Sequence, residues 1–256
     1  MSKSRSPSGA ANEFAEVLKT ILWALAIALV LRVFLLQPYT IPSASMEPNL
    51  YEGDYIVVTK WSYGYSRHSA PFSPPLFEGR VLARAPQRGD VAVFKTPRDN
   101  RTDLIKRVVG LPGDRIQMRG GVLYLNGEAV PRALVDPPPR EIATSMSWRG
   151  GGGRLYRETL PGGRAYLTQD YGPDNPYDDT EVYVVPEGHY FMMGDNRDNS
   201  ADSRVPVAAG GVGYLPEENL VGRARIVLVS WKPGASILKP WTWFNLDTAR
   251  FLRPLG

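Results

Sequence analysis

Two short segments, far apart in the chain, carry residues that could together cleave a peptide bond. The first, residues 42–48 (PSASMEP), holds Ser45 between small and apolar neighbours. The second, residues 103–109 (DLIKRVV), holds Lys106 within an apolar strand pattern. A serine hydroxyl is a weak nucleophile until a base removes its proton, and a neutral lysine amine can be that base. The pair therefore predicts serine–lysine acyl-transfer chemistry.

The nucleophile segment also offers donors for the oxyanion that forms when Ser45 attacks a carbonyl. The amide of Ser45 is one candidate donor, and the hydroxyl of Ser43 is the second. Taken alone, such a segment is also typical of a polar linker between a membrane and a domain. The residues leave both interpretations open.

Lys106 needs a special environment to act as a base. With period-two alternation, Leu104, Lys106 and Val108 share one face of the predicted strand. The ordinary lysine pKa of about 10.4 must fall to about 7–8 for catalysis near neutral pH, which burial of the amine can achieve. The alternative is an edge-strand lysine that extends into solvent.

An acidic loop, residues 194–204 (GDNRDNSADSR), follows another apolar strand pattern. A calcium-binding EF-hand fits it poorly, because the sixth position requires Gly and this chain has Ser200 there. The loop could be a turn held by Asx hydrogen bonds and Asp–Arg pairs. It could also orient the catalytic amine, with Ser200 bonded to Lys106 and with Asp202 and Arg204 as a supporting pair.

The N-terminal region predicts a membrane anchor over residues 14–37. Residues 21–31 are an unbroken apolar run, which resumes after Arg32 and, with the preceding turn, reaches the length of a spanning helix. The basic residues before it predict that residues 1–13 are cytoplasmic and that the chain after about residue 38 lies outside the cytoplasm. The alternative is a cleaved signal peptide, with residues 43–45 as the small-residue cleavage site.

The rest of the chain predicts a mainly β fold, because short apolar alternations are separated by turn residues. We expect an antiparallel β-sheet catalytic core over 39–114 and 181–235, interrupted by a smaller inserted region of β-hairpins and loops over 115–180. Asn126-Gly127 is a strong hairpin signal, since both central positions of a type I′ turn need positive φ. The tail, 236–256, carries tryptophans that suit either a membrane interface or ordinary packing. Phe72 and Phe77 allow the same two interpretations.

The composition excludes other kinds of site. Without cysteine the chain has no disulfide, thiol nucleophile or zinc ribbon. Its two histidines cannot form a three-histidine metal site and leave few bases for a Ser-His-Asp triad. The net charge of +4 is mild for 256 residues and favours an anionic lipid surface over nucleic acid. We predict no cofactor, no metal and no nucleic-acid partner.

Taken together, these segments carry a family likeness: the chain closely resembles bacterial type I signal peptidases, which are membrane-anchored serine–lysine endopeptidases. The resemblance rests on the anchor and on four motifs in the family's order. These motifs are IPSASMEP (41–48), RGDVAVF (88–94), IKRVVGLPGD (105–114) and the 194–204 loop.

The resemblance implies a role for each matching residue. Ser45 matches the nucleophile and Lys106 the general base. Ser43 matches the oxyanion-hole hydroxyl that assists the Ser45 amide. Three residues match the support of the lysine, namely Ser200, Asp202 and Arg204. Pockets for small side chains at an Ala-x-Ala cleavage site would be lined by Tyr39, Ile41, Met46, Leu50, Val93 and Ile105.

The resemblance also implies partners and a location. The partners would be the signal peptides of exported preproteins and the phospholipid membrane, near the secretion translocon. The location would be the cytoplasmic membrane, single-pass, with the catalytic domain on the periplasmic side. Two residues depart from the usual motifs, Asn49 where Thr is common and Leu104 where an aromatic residue is common. One alternative is a maturation peptidase for a single secretion, pilus or conjugation pre-protein, and another is a catalytically silent membrane-anchored scaffold.

Overall fold

The structure is a computed structural model, and it describes residues 7–71, 73–75, 77–149, 152–235 and 239–255. It begins with a long helix, α1 (Pro7–Phe34), which leads almost directly into the first strand, β1 (Leu36–Thr40). Within α1, the 23 residues of Asn12–Phe34 are apolar enough to cross a membrane, and none is buried by the rest of the protein. They span about 34 Å, against about 30 Å for a hydrocarbon core. The helix ends before residue 37 because Leu36 already pairs with Thr59.

A second helix and fourteen strands follow within the described part of the chain. The helix is α2 (Arg140–Arg149). The strands are β2 (Asp54–Thr59), β3 (Val91–Lys95), β4 (Asp103–Gly110), β5 (Arg115–Arg119), β6 (Val122–Leu125), β7 (Glu128–Ala129), β8 (Arg132–Leu134), β9 (Arg154–Thr159), β10 (Ala165–Asp170), β11 (Tyr183–Val184), β12 (His189–Met193), β13 (Tyr214–Pro216), β14 (Leu220–Ser230) and β15 (Arg253–Pro254).

The largest sheet is antiparallel, in the order β1-β2-β14-β3-β4-β12-β13, with β15 beside β14. Alternate residues of its strands enter the core; Ile56 and Val58 of β2, for example, are fully buried. The predicted fold class, mainly antiparallel β after one N-terminal apolar helix, is confirmed.

Strand register places the two predicted active-site segments. In the largest sheet β4 lies between β3 and β12, with Ala92 opposite Lys106 and Met193 opposite Arg107. Because Met193 is the last residue of β12, the acidic loop after it starts beside Lys106 and its neighbour. At the edge of the sheet formed by β1, that strand leads into the turn that carries Ser45.

The inserted region forms two small antiparallel sheets, β5-β6-β7 and β10-β9-β8, and β11, just after the region, pairs with β5 at the edge of the first. The predicted hairpin turn is confirmed: Asn126 and Gly127 have φ of 55° and 89° between the paired strands β6 and β7. Helix α2 is a difference from the predicted loops and hairpins. It begins just after the proline run at 137–139, and its Ile142 packs in a cluster with Leu155 and Leu167.

The tail divides into two parts. Its end is docked on the core: β15 pairs with β14, and the fully buried Arg250 binds the carboxylate of Asp54. Before that, Trp241 and Phe244 are 77% and 89% exposed. Phe77 is also exposed, whereas Phe72 lies outside the described residues.

Candidate active site

Ser45 lies in a one-turn 3-10 helix, Ala44–Met46, just after β1. The amides of Asn49 and Leu50 both donate to the carbonyl of Met46, at 3.0 and 2.9 Å, and so tie the next residues to the turn. Because Met46 and Leu50 are fully buried among apolar side chains, they fix the turn to the sheet. The Ser45 side chain is therefore held in one place, with Ser45 only 8% exposed.

The structure brings Ser45 and Lys106 into contact. Lys106 Nζ lies 2.6 Å from Ser45 Oγ and also donates to the carbonyl of Ile105 at 3.0 Å. Lys106 is 3% exposed. Burial lowers the pKa of Lys106 from its ordinary 10.5 to about 8, while the negative charges of Asp202 and Asp195 oppose part of this change. The amine can thus lose its proton close to physiological pH.

Ser43 lies beside the nucleophile. Its Oγ is 3.3 Å from Ser45 Oγ, and its backbone is extended, with φ −146° and ψ 155°. Ser43 is exposed and lines a cleft of about 250 Å³ that opens next to the dyad. A hydroxyl in this position can donate to an oxygen that sits in the cleft.

Four of the six predicted pocket residues line that cleft, namely Tyr39, Ile41, Val93 and Ile105. The other two, Met46 and Leu50, are fully buried beneath it in the same apolar cluster. Ile56 and the half-buried Leu104 also line it. Branched aliphatic side chains therefore form much of the cleft wall.

The loop after β12 packs directly against the nucleophile turn through Gly194. A Cβ on Gly194 would lie 2.5 Å from the carbonyl oxygen of Ser45 and would overlap the side chain of Ser200. Only glycine fits here, because both groups lie against its Cα. The Ser200 hydroxyl is buried, and among the described residues it has no hydrogen-bond partner. The hydrogen bond predicted between Ser200 and Lys106 is not formed; the serine packs on Gly194 instead.

Asp202 and Arg204 form a buried pair that holds this loop. The Arg204 Nε and Nη2 atoms each lie 2.9 Å from an Asp202 carboxylate oxygen, and Nη2 also donates to the carbonyl of Arg197. Asp202 accepts from the amide of Gly194 at 2.9 Å. Burial acts to raise the pKa of Asp202, but Arg204 and these hydrogen bonds outweigh it and hold the pKa below its ordinary value. The pair fixes Gly194 rather than touching the dyad.

A second buried ion pair was not predicted from the sequence. Arg107, which follows the lysine, binds Asp195 through two hydrogen bonds of 2.7 Å. Asn49 donates to Asp195 at 2.8 Å and to the carbonyl of Leu167 at 2.6 Å. The residue that departs from the family motif thus links the nucleophile turn to the acidic loop and to the inserted region. The available signal in the sequence was a second charged residue, Arg107, beside Lys106 in the otherwise apolar run of residues 104–109.

Asn196 also holds the nucleophile turn. Its amide donates to the carbonyl of Ser45, and its side chain donates to the carbonyl of Ala44, both at 3.2 Å. The same side chain donates to the hydroxyl of Tyr171, which follows β10. These contacts were not predicted, because Asn196 looked like one of several interchangeable polar residues in the loop.

Comparisons with known proteins identify the family of the chain. A family model described as signal peptidase, peptidase S26, matches residues 14–231. The signal peptidase I of Rickettsia felis is 40% identical over 233 residues, covering 88% of this chain and 80% of its own. That of Rickettsia canadensis is 40% identical over 241 residues, covering 91% and 83%. A crystal structure of a signal peptidase I from Enterococcus faecalis is 26% identical and covers 55% of this chain and 97% of its own, with a TM-score of 0.31. The chain therefore belongs to the peptidase S26 family of signal peptidases, hydrolases that remove signal peptides from preproteins.

Proposed function

We propose that the protein is a serine endopeptidase that removes signal peptides with Ser45 as nucleophile and Lys106 as general base. The observation that carries this proposal is the 2.6 Å contact between a buried amine and a serine hydroxyl at the edge of an open cleft. A buried lysine with a lowered pKa and, among the described residues, no ion-paired carboxylate is costly for a fold, and general-base catalysis explains why it is there.

The reaction follows from these positions. Neutral Lys106 takes the proton of Ser45 as Oγ attacks the scissile carbonyl carbon. The oxyanion then accepts hydrogen bonds from the Ser43 hydroxyl and the Ser45 amide. As the tetrahedral intermediate collapses, the lysinium gives its proton to the leaving amine and an ester on Ser45 remains. Lys106 next activates a water that hydrolyses this ester. Ser200 is a candidate partner for the lysinium, since its buried hydroxyl is otherwise unpaired among the described residues.

We propose that the cleft selects small side chains at the first and third positions before the cut, as in an Ala-x-Ala site. Branched residues, including Ile41 and Val93, narrow the cleft, and larger substrate side chains would clash with them. Extra volume in a packed apolar site costs about 1–3 kcal/mol, which is enough for strong discrimination.

We propose that α1 anchors the protein in the cytoplasmic membrane, with its N-terminus in the cytoplasm and the catalytic domain on the periplasmic side. Supporting this, α1 runs into β1, and β1 runs into the turn of Ser45, so the nucleophile stays close to the membrane surface. Substrates would reach it there as they leave the secretion translocon. The exposed Trp241 and Phe244 would add contacts with lipid headgroups.

The overall assignment is tested with the full-length protein and several unrelated preproteins that carry Ala-x-Ala sites. Mass spectrometry of the mature N-termini should show cleavage after the second alanine in each of them. Cleavage of one preprotein alone would favour the specialised maturation peptidase, and cleavage of none would favour the silent scaffold. The dyad geometry favours a peptidase over the silent scaffold.

Replacing Ser43 by alanine should lower kcat about 100-fold and leave KM nearly unchanged. The hydroxyl acts on the oxyanion, which exists only in the transition state and the intermediate, and loss of one such donor has about this effect. Steady-state kinetics on a preprotein checks it, with Ser43→Thr as the variant that keeps a hydroxyl. A Ser43→Ala enzyme with wild-type kcat would remove Ser43 from the oxyanion hole.

Activity should rise with pH through a pKa of about 8, the value to which burial lowers Lys106. Below this pKa the amine is protonated and cannot accept the proton of Ser45, so kcat/KM should fall about tenfold for each further unit of pH. The measurement is kcat/KM from about pH 6 to about pH 10 in detergent or vesicles. A flat profile across this range would exclude a titrating lysine base.

A further inference from the structure

A small polar cavity lies where the end of α1 meets the sheet. Its volume is about 140 Å³, which is room for a phosphate group but not for a peptide. Its walls include the side chains of Arg32, Lys60 and Lys95, with Asp103 at one edge. Three basic residues therefore converge on a cavity with one carboxylate.

The charges in this cavity are only partly balanced. Lys95 is paired with Asp103 at 2.9 Å. Lys60 is 2% exposed and donates to the carbonyl of Ser69 at 2.5 Å, which leaves two of its three donor positions for another group. In the part of the chain that is described, neither Lys60 nor the exposed Arg32 has a carboxylate within ion-pair distance. A buried ammonium without a counter-charge is costly, so the cavity favours an anion.

The remaining polar wall does not change this balance. His68 is buried; it accepts from Arg67 Nε at 3.3 Å, and its Nδ1 lies 2.9 Å from the hydroxyl of Ser73. Burial and the charge of Arg67 lower the pKa of His68 to about 4, so the imidazole is neutral at physiological pH. Burial and the charge of Arg32 also lower the pKa of Lys60, to about 8, and a bound anion would oppose that effect.

The position of the cavity identifies the source of the anion. Arg32 lies in the last turn of the apolar span Asn12–Phe34, which is as long as a bilayer core is thick. If this span crosses the membrane as proposed above, the cavity lies at the depth of the phospholipid headgroups. Basic pockets near the headgroups of the opposite, cytoplasmic leaflet are known to bind anionic lipid head groups, and the same electrostatic attraction applies here.

We propose that this cavity is a binding site for the phosphate of an anionic phospholipid, held by Arg32 and Lys60. The cavity adjoins the substrate cleft, since Tyr39 and Asp103 line both. A bound headgroup would hold the mouth of the cleft at the bilayer surface, where signal peptides leave the membrane.

The test is calorimetric titration of the full-length protein, in uncharged detergent, with short-chain dihexanoylphosphatidylglycerol, dihexanoylphosphatidylcholine and inorganic phosphate. Wild type should bind the phosphatidylglycerol at least tenfold more tightly than the phosphatidylcholine. Arg32→Gln should weaken the binding of the phosphatidylglycerol about fivefold, the size expected for one basic residue at an anionic surface. Lys60→Met should weaken it at least as much, and Arg115→Gln, an exposed arginine of β5, should not.

Three results would overturn the proposal. One is equal affinity of wild type for the two lipids, and another is unchanged affinity in Arg32→Gln, whose exposed side chain can be replaced without disturbing the fold. The third is inorganic phosphate binding as tightly as the lipid, which would make this a site for free phosphate. Because the titration reads binding and not proteolysis, its outcome is independent of the peptidase assignment.

Discussion

Ser45→Ala and Lys106→Met should each lower kcat/KM for preprotein cleavage by about four orders of magnitude or more. In a nucleophile–base pair each group works only through the other, so losing either removes the same catalytic step. Their Oγ and Nζ atoms are 2.6 Å apart, and the described structure places no other base at this distance from Ser45 Oγ. The double variant should therefore be no slower than the single variants.

The measurement is single-turnover cleavage of a preprotein at a fixed enzyme excess, with mature product quantified over hours. Ser147→Ala is a matched control, because Ser147 is an exposed serine of α2 whose hydroxyl donates to the carbonyl of Thr144, a neighbour in the same helix. Both dyad variants should still bind substrate. Wild-type cleavage by Lys106→Met would show that Ser45 uses another base, and cleavage by Ser45→Ala would rule out the ester intermediate.

Ser45 and Lys106 could be singled out from the sequence because each sits in a local pattern, and the structure brings their side chains into contact. Lys106 interrupts an apolar strand, and Ser45 stands among small residues shortly after the apolar helix α1. Local patterns also predicted the hairpin at Asn126, where the turn chemistry is specific. The short helix α2 was missed because its proline- and glycine-rich surroundings resemble a loop, and its packing against Leu155 and Leu167 overrides weak propensity.

Contacts between distant segments could not be predicted in this way. The bonds from Asn196 to the nucleophile turn depend on the register of β12 against β4 and on the position of the inserted region. Ser200 shows the same limit: its burial against Gly194 depends on sub-ångström packing, and the predicted bond to the lysine is not formed. No local pattern marks Lys60, which follows the apolar residues 55–58, and only the fold shows that it is buried.

Asp195→Ala should lower the free energy of unfolding by about 3–5 kcal/mol, because it leaves the guanidinium of Arg107 buried without a counter-charge. Both side chains are almost fully buried, and their two hydrogen bonds are 2.7 Å long. The variant would also leave Asn49 without one of its two acceptors. Urea titration followed by tryptophan fluorescence measures the change. The matched control is Glu218→Ala, which breaks the partly exposed pair with Arg67 and should cost less than about 1 kcal/mol.

A second measurement separates the electrostatic role of Asp195 from its structural role. Burial dominates the lowered pKa of Lys106, and the charges of Asp202 and Asp195 partly offset it. Removing the Asp195 charge should lower the pKa of Lys106 further, so the pH at which activity is half-maximal should move below that of the wild type. Arg107→Met combined with Asp195→Ala should recover part of the lost stability, since no unpaired charge remains. If the Asp195→Ala enzyme is less stable but keeps the wild-type pH profile, the ion pair acts on stability alone. If the pH profile shifts, the pair also sets the pKa of Lys106.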